Sequence, residues 1–294
     1  MKTIFKFLFI STAFFGITSC EDVVQIKLDE GSKLYVIDAF VNNTRSNQTI
    51  RVLTNDNYFS NREAPPVTNA TVILKDLTAN KQYNFNYTSK GNYVFALATT
   101  DTISKIGHQY ELNVIVDGNT YTSICLQKRT AILDSISAVY NDGTSGFGPP
   151  NPSYNCFLWA RDKVDLVPDY YWIKTFKNDT LFDKPSDLNT AIDGTGGEVT
   201  NAGGADTLDF TPPAIFLGFN SYKSGDKCKV EIHSISRETN NFLFQAVAQI
   251  QNGGLFATTP ENVRTNITTP SGAKTKAVGW FNMATVVSKT KLIP

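Results

Sequence analysis

From Lys33 onward, apolar positions recur at the two-residue period of β-strands, with turn residues breaking the pattern at short intervals. Lys33 to Val41 is rich in β-branched and aromatic residues and has the length of a strand. Gln48 to Leu53 and Ala70 to Leu77 follow, with Ala64-Pro65-Pro66 and Asn69 marking the turn between them. Gln82 to Tyr87 alternates strictly, which sets Tyr83, Phe85 and Tyr87 on one face of a half-buried strand. Ser89-Lys90-Gly91-Asn92 turns the chain into Tyr93 to Leu97. His108 to Val116, the turn Asp117-Gly118-Asn119, and Thr120 to Leu126 make a hairpin.

A second β-rich region begins near Thr130, with strands predicted at Ile132 to Tyr140, Tyr154 to Ala160, Tyr170 to Phe176 and Cys228 to Ile235. The Pro- and Gly-rich run from Asn141 to Pro152 cannot continue a ladder, and Asp193 to Asp206, with five glycines, reads as a surface loop. One helix is expected, over 237–251. Ser236 can cap it, Glu238 sits in its first turn, Gly253-Gly254 ends it, and Leu243, Ala246, Val247 and Ile250 form one apolar stripe to be buried. The predicted fold is therefore mainly β. An N-terminal immunoglobulin-like antiparallel β-sandwich over 33–128 precedes a second mostly β domain, 129–294, with one packed α-helix.

The first nineteen residues follow a different pattern. Lys2 and Lys6 precede an apolar run from Phe7 to Ile17 that is too short to be a permanent membrane span. Ile17-Thr18-Ser19-Cys20 then resembles the bacterial lipobox. That resemblance implies a signal peptide, 1–19, removed before Cys20, with acyl chains such as palmitate on the Cys20 sulfur and the new amino group. Residues 20–32 become a lipidated tether. Two or three chains, each worth about 0.8 kcal/mol per buried CH₂, anchor a protein stably where one does not.

Cleavage leaves 275 of the 294 residues; losing Lys2 and Lys6 takes the basic count from 27 to 25 against 27 acidic residues, a net charge of about −2. This balance excludes a nucleic-acid stripe and a polybasic membrane patch. Three cysteines remain: Cys125, Cys156 and Cys228. The expected state is three buried free thiols, and Cys156 with Cys228, both in alternating runs, is the pair to test.

Catalytic chemistry is hard to find. The chain has no Gly-x-Ser-x-Gly elbow, His-Glu-x-x-His helix or phosphate loop, and only two histidines. His108 reads as a turn residue, and His233, alternating with Glu231 and Ile235, as one that faces solvent or a neighbouring strand. No metal, cofactor or catalytic residue is assigned, and the protein is not expected to be an enzyme. Aromatic side chains are the candidates for recognition. Tyr170 and Trp172 share a strand face with Phe176, and Phe147 lies between two glycines with few local packing partners. Thr102, Ser135, Thr180 and Thr207, each after an aspartate and before an apolar residue, resemble O-glycosylation sites of exported Bacteroidota proteins.

A set of short motifs resembles one family. They include Cys20-Glu21-Asp22, Lys33 to Ile37, Pro66 to Leu74, Gly91-Asn92-Tyr93, Gly107 to Leu112, Asp169 to Trp172, Gly254-Leu255-Phe256, Pro260 to Val263 and Ala277 to Phe281. Their order is similar to that of the Bacteroidota outer-membrane lipoproteins known as domain of unknown function 4249. Where many relatives have a glycine, this chain has Asn69, which can hold a turn at positive φ. The common Gly-x-Phe-Gly is replaced by Gly279-Trp280-Phe281-Asn282.

The resemblance implies a lipid-anchored outer-membrane protein, displayed at the cell surface and accessory to a TonB-dependent transporter. Its partners would be the membrane, through the acyl chains on Cys20, and that transporter; nucleic acid is not among them. The alternatives are a free-standing structural or adhesive surface module and, more remotely, a hydrolase.

Overall fold

The computed structural model describes residues 31–57, 60, 62–97, 102–144, 151–161, 168–192, 215–218, 221–252, 261 and 263–294. In chain order the first strands are β1 (Leu34–Asn42), β2 (Gln48–Thr54), β3 (Thr71–Asp76), β4 (Lys81–Ser89), β5 (Asn92–Phe95), β6 (Gln109–Val116) and β7 (Asn119–Leu126). They are followed by β8 (Ile132–Asn141), β9 (Ser153–Arg161), β10 (Tyr170–Lys177), β11 (Thr180–Leu181), β12 (Asn189–Ile192), β13 (Ile215–Phe216) and β14 (Lys227–Ile235). Helix α1 (Arg237–Ile250) and strands β15 (Lys276–Ala284) and β16 (Val286–Leu292) complete the chain. The protein is mainly β, as its pattern predicts.

Eight strands form one sheet in the order β15-β1-β2-β5-β4-β3-β6-β7. Strand β4 carries the turn of this sheet on itself. Its first half pairs with β3, from Asp76 with Lys81 to Val72 with Phe85, and its second half pairs with β5 from Asn86 onward. Tyr83 and Phe85 are buried, whereas Tyr87, past the crossing, is 39% exposed and packs edge-on to Tyr93. The expectation of three rings on one buried face therefore holds for two. The two ends of the sheet approach each other: Met283 N donates to Cys125 Sγ at 3.3 Å, and Tyr121 Oη donates to the Thr275 carbonyl at 2.6 Å. Tyr35, Ile37, Ala39 and Val41 of β1 alternate into the enclosed core, where they meet Leu112, Val114, Phe281 and Met283.

Two tight turns follow the sequence closely. Lys90 (φ 52°) with Gly91 (φ 79°), and Asp117 (φ 50°) with Gly118 (φ 73°), hold the left-handed geometry that two-residue hairpins need. Asn69 does not; it is absent from the described positions with positive φ.

Behind this sheet, strands β11-β10-β14-β16, with β12 also on β10, face a three-stranded sheet β13-β9-β8. Leu133, Leu158, Ile173, Tyr222, Val230 and Ile293 are among the residues of the second core between them. The sequence suggests a boundary at 128/129. In the structure, residues 33–294 make one compact unit. The reason is β15, which returns from the far end of the chain to pair in parallel with β1 over nine positions, Leu34 with Lys276 through Asn42 with Ala284. After Thr285 the chain continues as β16 and pairs with β14 in the other sheet. Strand β15 is buried on both faces: Ala277, Phe281 and Met283 enter the first core, while Trp280, Asn282 and Ala284 are buried on its other side. A strand covered on both faces shows no alternation, which is why no strand is legible there in the sequence.

Buried polar groups stitch this crossover. Ser234 N donates to the Thr285 carbonyl at 2.9 Å, Thr285 N donates to Ser234 Oγ at 2.8 Å, and Thr285 Oγ1 donates to the Lys128 carbonyl at 2.6 Å. Helix α1 starts as expected, with Ser236 Oγ accepting from Thr239 N at 3.1 Å. It docks by its N-terminal turns. Phe242 stacks on Trp280 at 4.6 Å between centroids, and Trp280 Nε1 donates to Thr239 Oγ1 at 2.9 Å. The buried helical residues are Thr239, Asn240 and Leu243, and Ile250 is 68% exposed. The apolar stripe from Leu243 to Ile250 is thus buried at its first member only. Thr239 takes an inner position because its hydroxyl meets polar groups of β15 there, donating to Asn282 Oδ1 at 3.1 Å.

Candidate functional site

Of the aromatic candidates, Phe147 lies outside the described residues, as do Thr207 and the glycine-rich loop 193–206. Tyr170 is 7% exposed and packs with Ile235 and Leu243. It is a core residue, and its proposed contact with a partner is corrected on that ground. Trp172 is half-buried and belongs to the most chemically distinctive place in the described structure. Thr102, Ser135 and Thr180 are all exposed, Ser135 at a bulge of β8 and Thr180 just after the left-handed pair Asn178 and Asp179.

The distinctive place arises from cross-strand register. Trp172 pairs with His233 and Lys174 with Glu231, so the four side chains share one face of the β10–β14 ladder. Opposite them stand Asp38 and Phe40, on the face of β1 that looks away from the first core. Phe40 meets Trp172 edge-on at 5.5 Å, and the Trp172 and His233 rings lie 6.2 Å apart. Lys174 Nζ sits over the Trp172 ring at 4.0 Å, a cation–π contact. His233 Nε2 bonds Glu231 Oε2 at 2.9 Å, and Glu231 Oε1 pairs with Lys229 Nζ at 2.7 Å. A cavity of about 20 Å³, lined in part by Phe40, Trp172, Lys174, His233 and Asn282, has room for about one water molecule.

Burial dominates the electrostatics of this cluster. It pushes Lys174 below the usual lysine range, with Glu231 and Asp38 opposing it. It also holds His233 below the usual imidazole range, against the pull of Glu231 and with help from Lys174 and Lys229. Neutral His233 then donates its Nε2–H to the carboxylate. Asp38 keeps solvent-exposed surface yet is ringed by protein, and this desolvation raises its pKa despite Arg51 and Lys174. Glu231 is the reverse case. Burial opposes its ionisation, but the bond from His233 and the Lys229 ion pair prevail and bring it down to about 2.

These shifts carry a pH dependence. Glu231 falls from 4.5 to about 2 on folding, so the unfolded chain binds more protons between those values and stability is lost as pH drops through that window. The shift corresponds to about 3 kcal/mol. His233 adds a loss of the same sign that begins below its ordinary value of 6.5, whereas Asp38, raised on folding, contributes in the opposite direction. Glu231→Gln is therefore expected to be less stable at pH 7 by about 2 kcal/mol and to show a shallower acid limb. Urea midpoints at pH 7, 4.5 and 3 check this, and parallel pH profiles for the two proteins would contradict it.

The residues lining the cavity include no Ser, Thr or Cys nucleophile, and the space is too small for an organic substrate. The arrangement packs the outer face of β1 against the β10–β14 ladder. Among the described residues, no group of three His, Cys, Asp or Glu is placed to hold a metal ion, and no helix is long and apolar enough to cross a membrane. His108, read as a turn residue, bonds Asp76 through Nδ1 at 2.7 Å just before β6. Sequence reasoning overlooked Asp38, and it set Glu231 and His233 on one strand without reading them as a bonded pair. Their only signal is an acid and a histidine two apart, which becomes meaningful once β14 is aligned with β10.

The class defined by these features is a mainly β sandwich protein with one docked helix and an inter-sheet polar cluster. The chain belongs to the family described as domain of unknown function (DUF4249), whose match spans residues 21–290. Among proteins of curated function no match is found. A solved structure it resembles is the crystal structure of the chicken CNTN1 FN1–FN3 domains, at 11% identity and a TM-score of 0.24, with 72% of this chain covered. The chain spans 65% of the length of that protein.

Proposed function

We propose that this is a non-catalytic lipoprotein, anchored by acyl chains on Cys20 in the outer membrane, facing the cell surface and accessory to a TonB-dependent transporter. The observation that carries the reading is the leader ending in Ile17-Thr18-Ser19-Cys20. The start of the family match at residue 21, directly after that cysteine, supports it. Residues 21–32 then form a short tether before β1. Acyl anchoring confines the protein to the membrane plane and raises its effective concentration at a membrane partner. Exposed Ile124 and Leu126 on β7 are surface positions to substitute in mapping the contact.

The test is a mild-detergent pull-down of the native lipidated protein from its own outer membranes, with mass spectrometry. Recovery of a large β-barrel in near-stoichiometric amount is expected. Recovery of the lipoprotein alone, with crosslinking also empty, would leave a free-standing adhesive or structural module in its place.

A further inference from the structure

Cys156 of β9 and Cys228 of β14 come from the two facing sheets of the second core and are 1% and 0% exposed. Their thiols lie within hydrogen-bonding reach of each other, and Tyr222 Oη, which also bonds the Phe176 carbonyl at 3.1 Å, reaches Cys228. Cys125 is set apart on β7, where it accepts from Met283 N. All three cysteines are free thiols in the structure, and the two that meet across the sheet interface are the pair placed for a bond. We propose that in the mature protein Cys156 and Cys228 form a disulfide that ties β9 to β14. The proposal rests on export to an oxidising compartment, as in the reading above.

The oxidant is a disulfide of a small molecule or an oxidoreductase. The thiolate of one cysteine attacks it, releasing one thiol and leaving a mixed disulfide. The second thiolate then attacks the cysteine sulfur of that mixed disulfide and expels the second thiol. Both protons and both electrons pass to the oxidant. Burial blocks this exchange in the folded chain, so the bond forms while the core is assembling and is shielded from reductant afterwards. The two positions are 72 residues apart, a loop long enough for the cross-link to restrict the unfolded chain substantially.

The test is the native protein, denatured in N-ethylmaleimide without reductant and mapped by mass spectrometry, with the mass at Cys20 read in the same digest. Alkylation of Cys125 alone, with a 156–228 cross-linked peptide, is expected. Three alkylated cysteines in protein that carries lipid on Cys20 would overturn the disulfide while leaving export intact. If Cys20 carries no lipid, the export reading fails, and the geometry is judged separately by refolding purified protein with oxidised glutathione. There, a 156–228 cross-link as the dominant product supports the pairing, and its absence or replacement by pairs involving Cys125 rejects it. Reduction under denaturing conditions followed by refolding with reductant should lower the thermal midpoint by roughly 10 °C. The double variant Cys156→Ala with Cys228→Ala should lose that sensitivity to reductant, while Cys125→Ser should keep it.

Discussion

Gly279→Ala is expected to cost the protein more than about 4 kcal/mol, enough to leave it largely unfolded or without β15 docked. Gly279 has φ 115°, a region closed to side chains, and it stands opposite Ile37 in the parallel ladder. A Cβ there would overlap the Ile37 carbonyl oxygen and lie 2.7 Å from its carbon and 2.8 Å from its nitrogen. All three are backbone atoms of β1, so relief requires pulling β15 away from β1. That movement would take Phe281 and Met283 out of one core and Trp280 off the helix. Gly118→Ala is the control for backbone strain alone, since Gly118 also has positive φ but nothing within 4 Å of a built Cβ; about 1 kcal/mol is expected. Gly91→Ala should fall between them, because its Cβ meets the movable Leu53 Cδ2 at 2.5 Å and the Val52 carbonyl at 2.7 Å. Urea unfolding followed by tryptophan fluorescence and circular dichroism gives the three values. Equal losses at Gly279 and Gly118 would mean that the close approach of β15 to β1 is not what holds the fold together.

Cys20→Ala should empty the outer membrane of this protein, lowering its amount there at least about tenfold. The variant has neither the sulfur nor the cleavage site that the leader reading requires. The apolar run Phe7 to Ile17 that it retains is eleven residues, too short to serve as a stable span. The unprocessed chain should therefore be found at the inner membrane or soluble, without label from a palmitate analogue and with the leader still present by mass. Wild-type protein should carry the label and begin at Cys20. An unchanged outer-membrane fraction with an unchanged mass would refute lipid anchoring and, with it, the transporter reading that depends on it.

Locally determined features were legible in the sequence. Asp117-Gly118 adopts left-handed angles from its own residue types, Ser236 caps α1 because its hydroxyl sits three residues before Thr239 N, and strands covered on one face alternate visibly. The polar cluster was only half legible. Trp172 was recognisable on its strand face, but its cross-strand partner His233 depends on pairing across 60 intervening residues, and Asp38 on strand β1 lies further still.

The sequence by itself determined the strand-rich character, the helix that follows Ser236 and the tight hairpins, since each rests on contacts or conformations within a few residues. The tertiary structure decided the rest. It returned β15 to pair with β1 across more than two hundred residues, fused the two halves into one unit, buried Tyr170 and left Ile250 in solvent. Those outcomes turn on which surfaces meet. Nonlocal pairing is selected by the burial of whole faces, and a closing loop's entropy grows only slowly with its length, so the pattern near a residue carries little record of its distant partner.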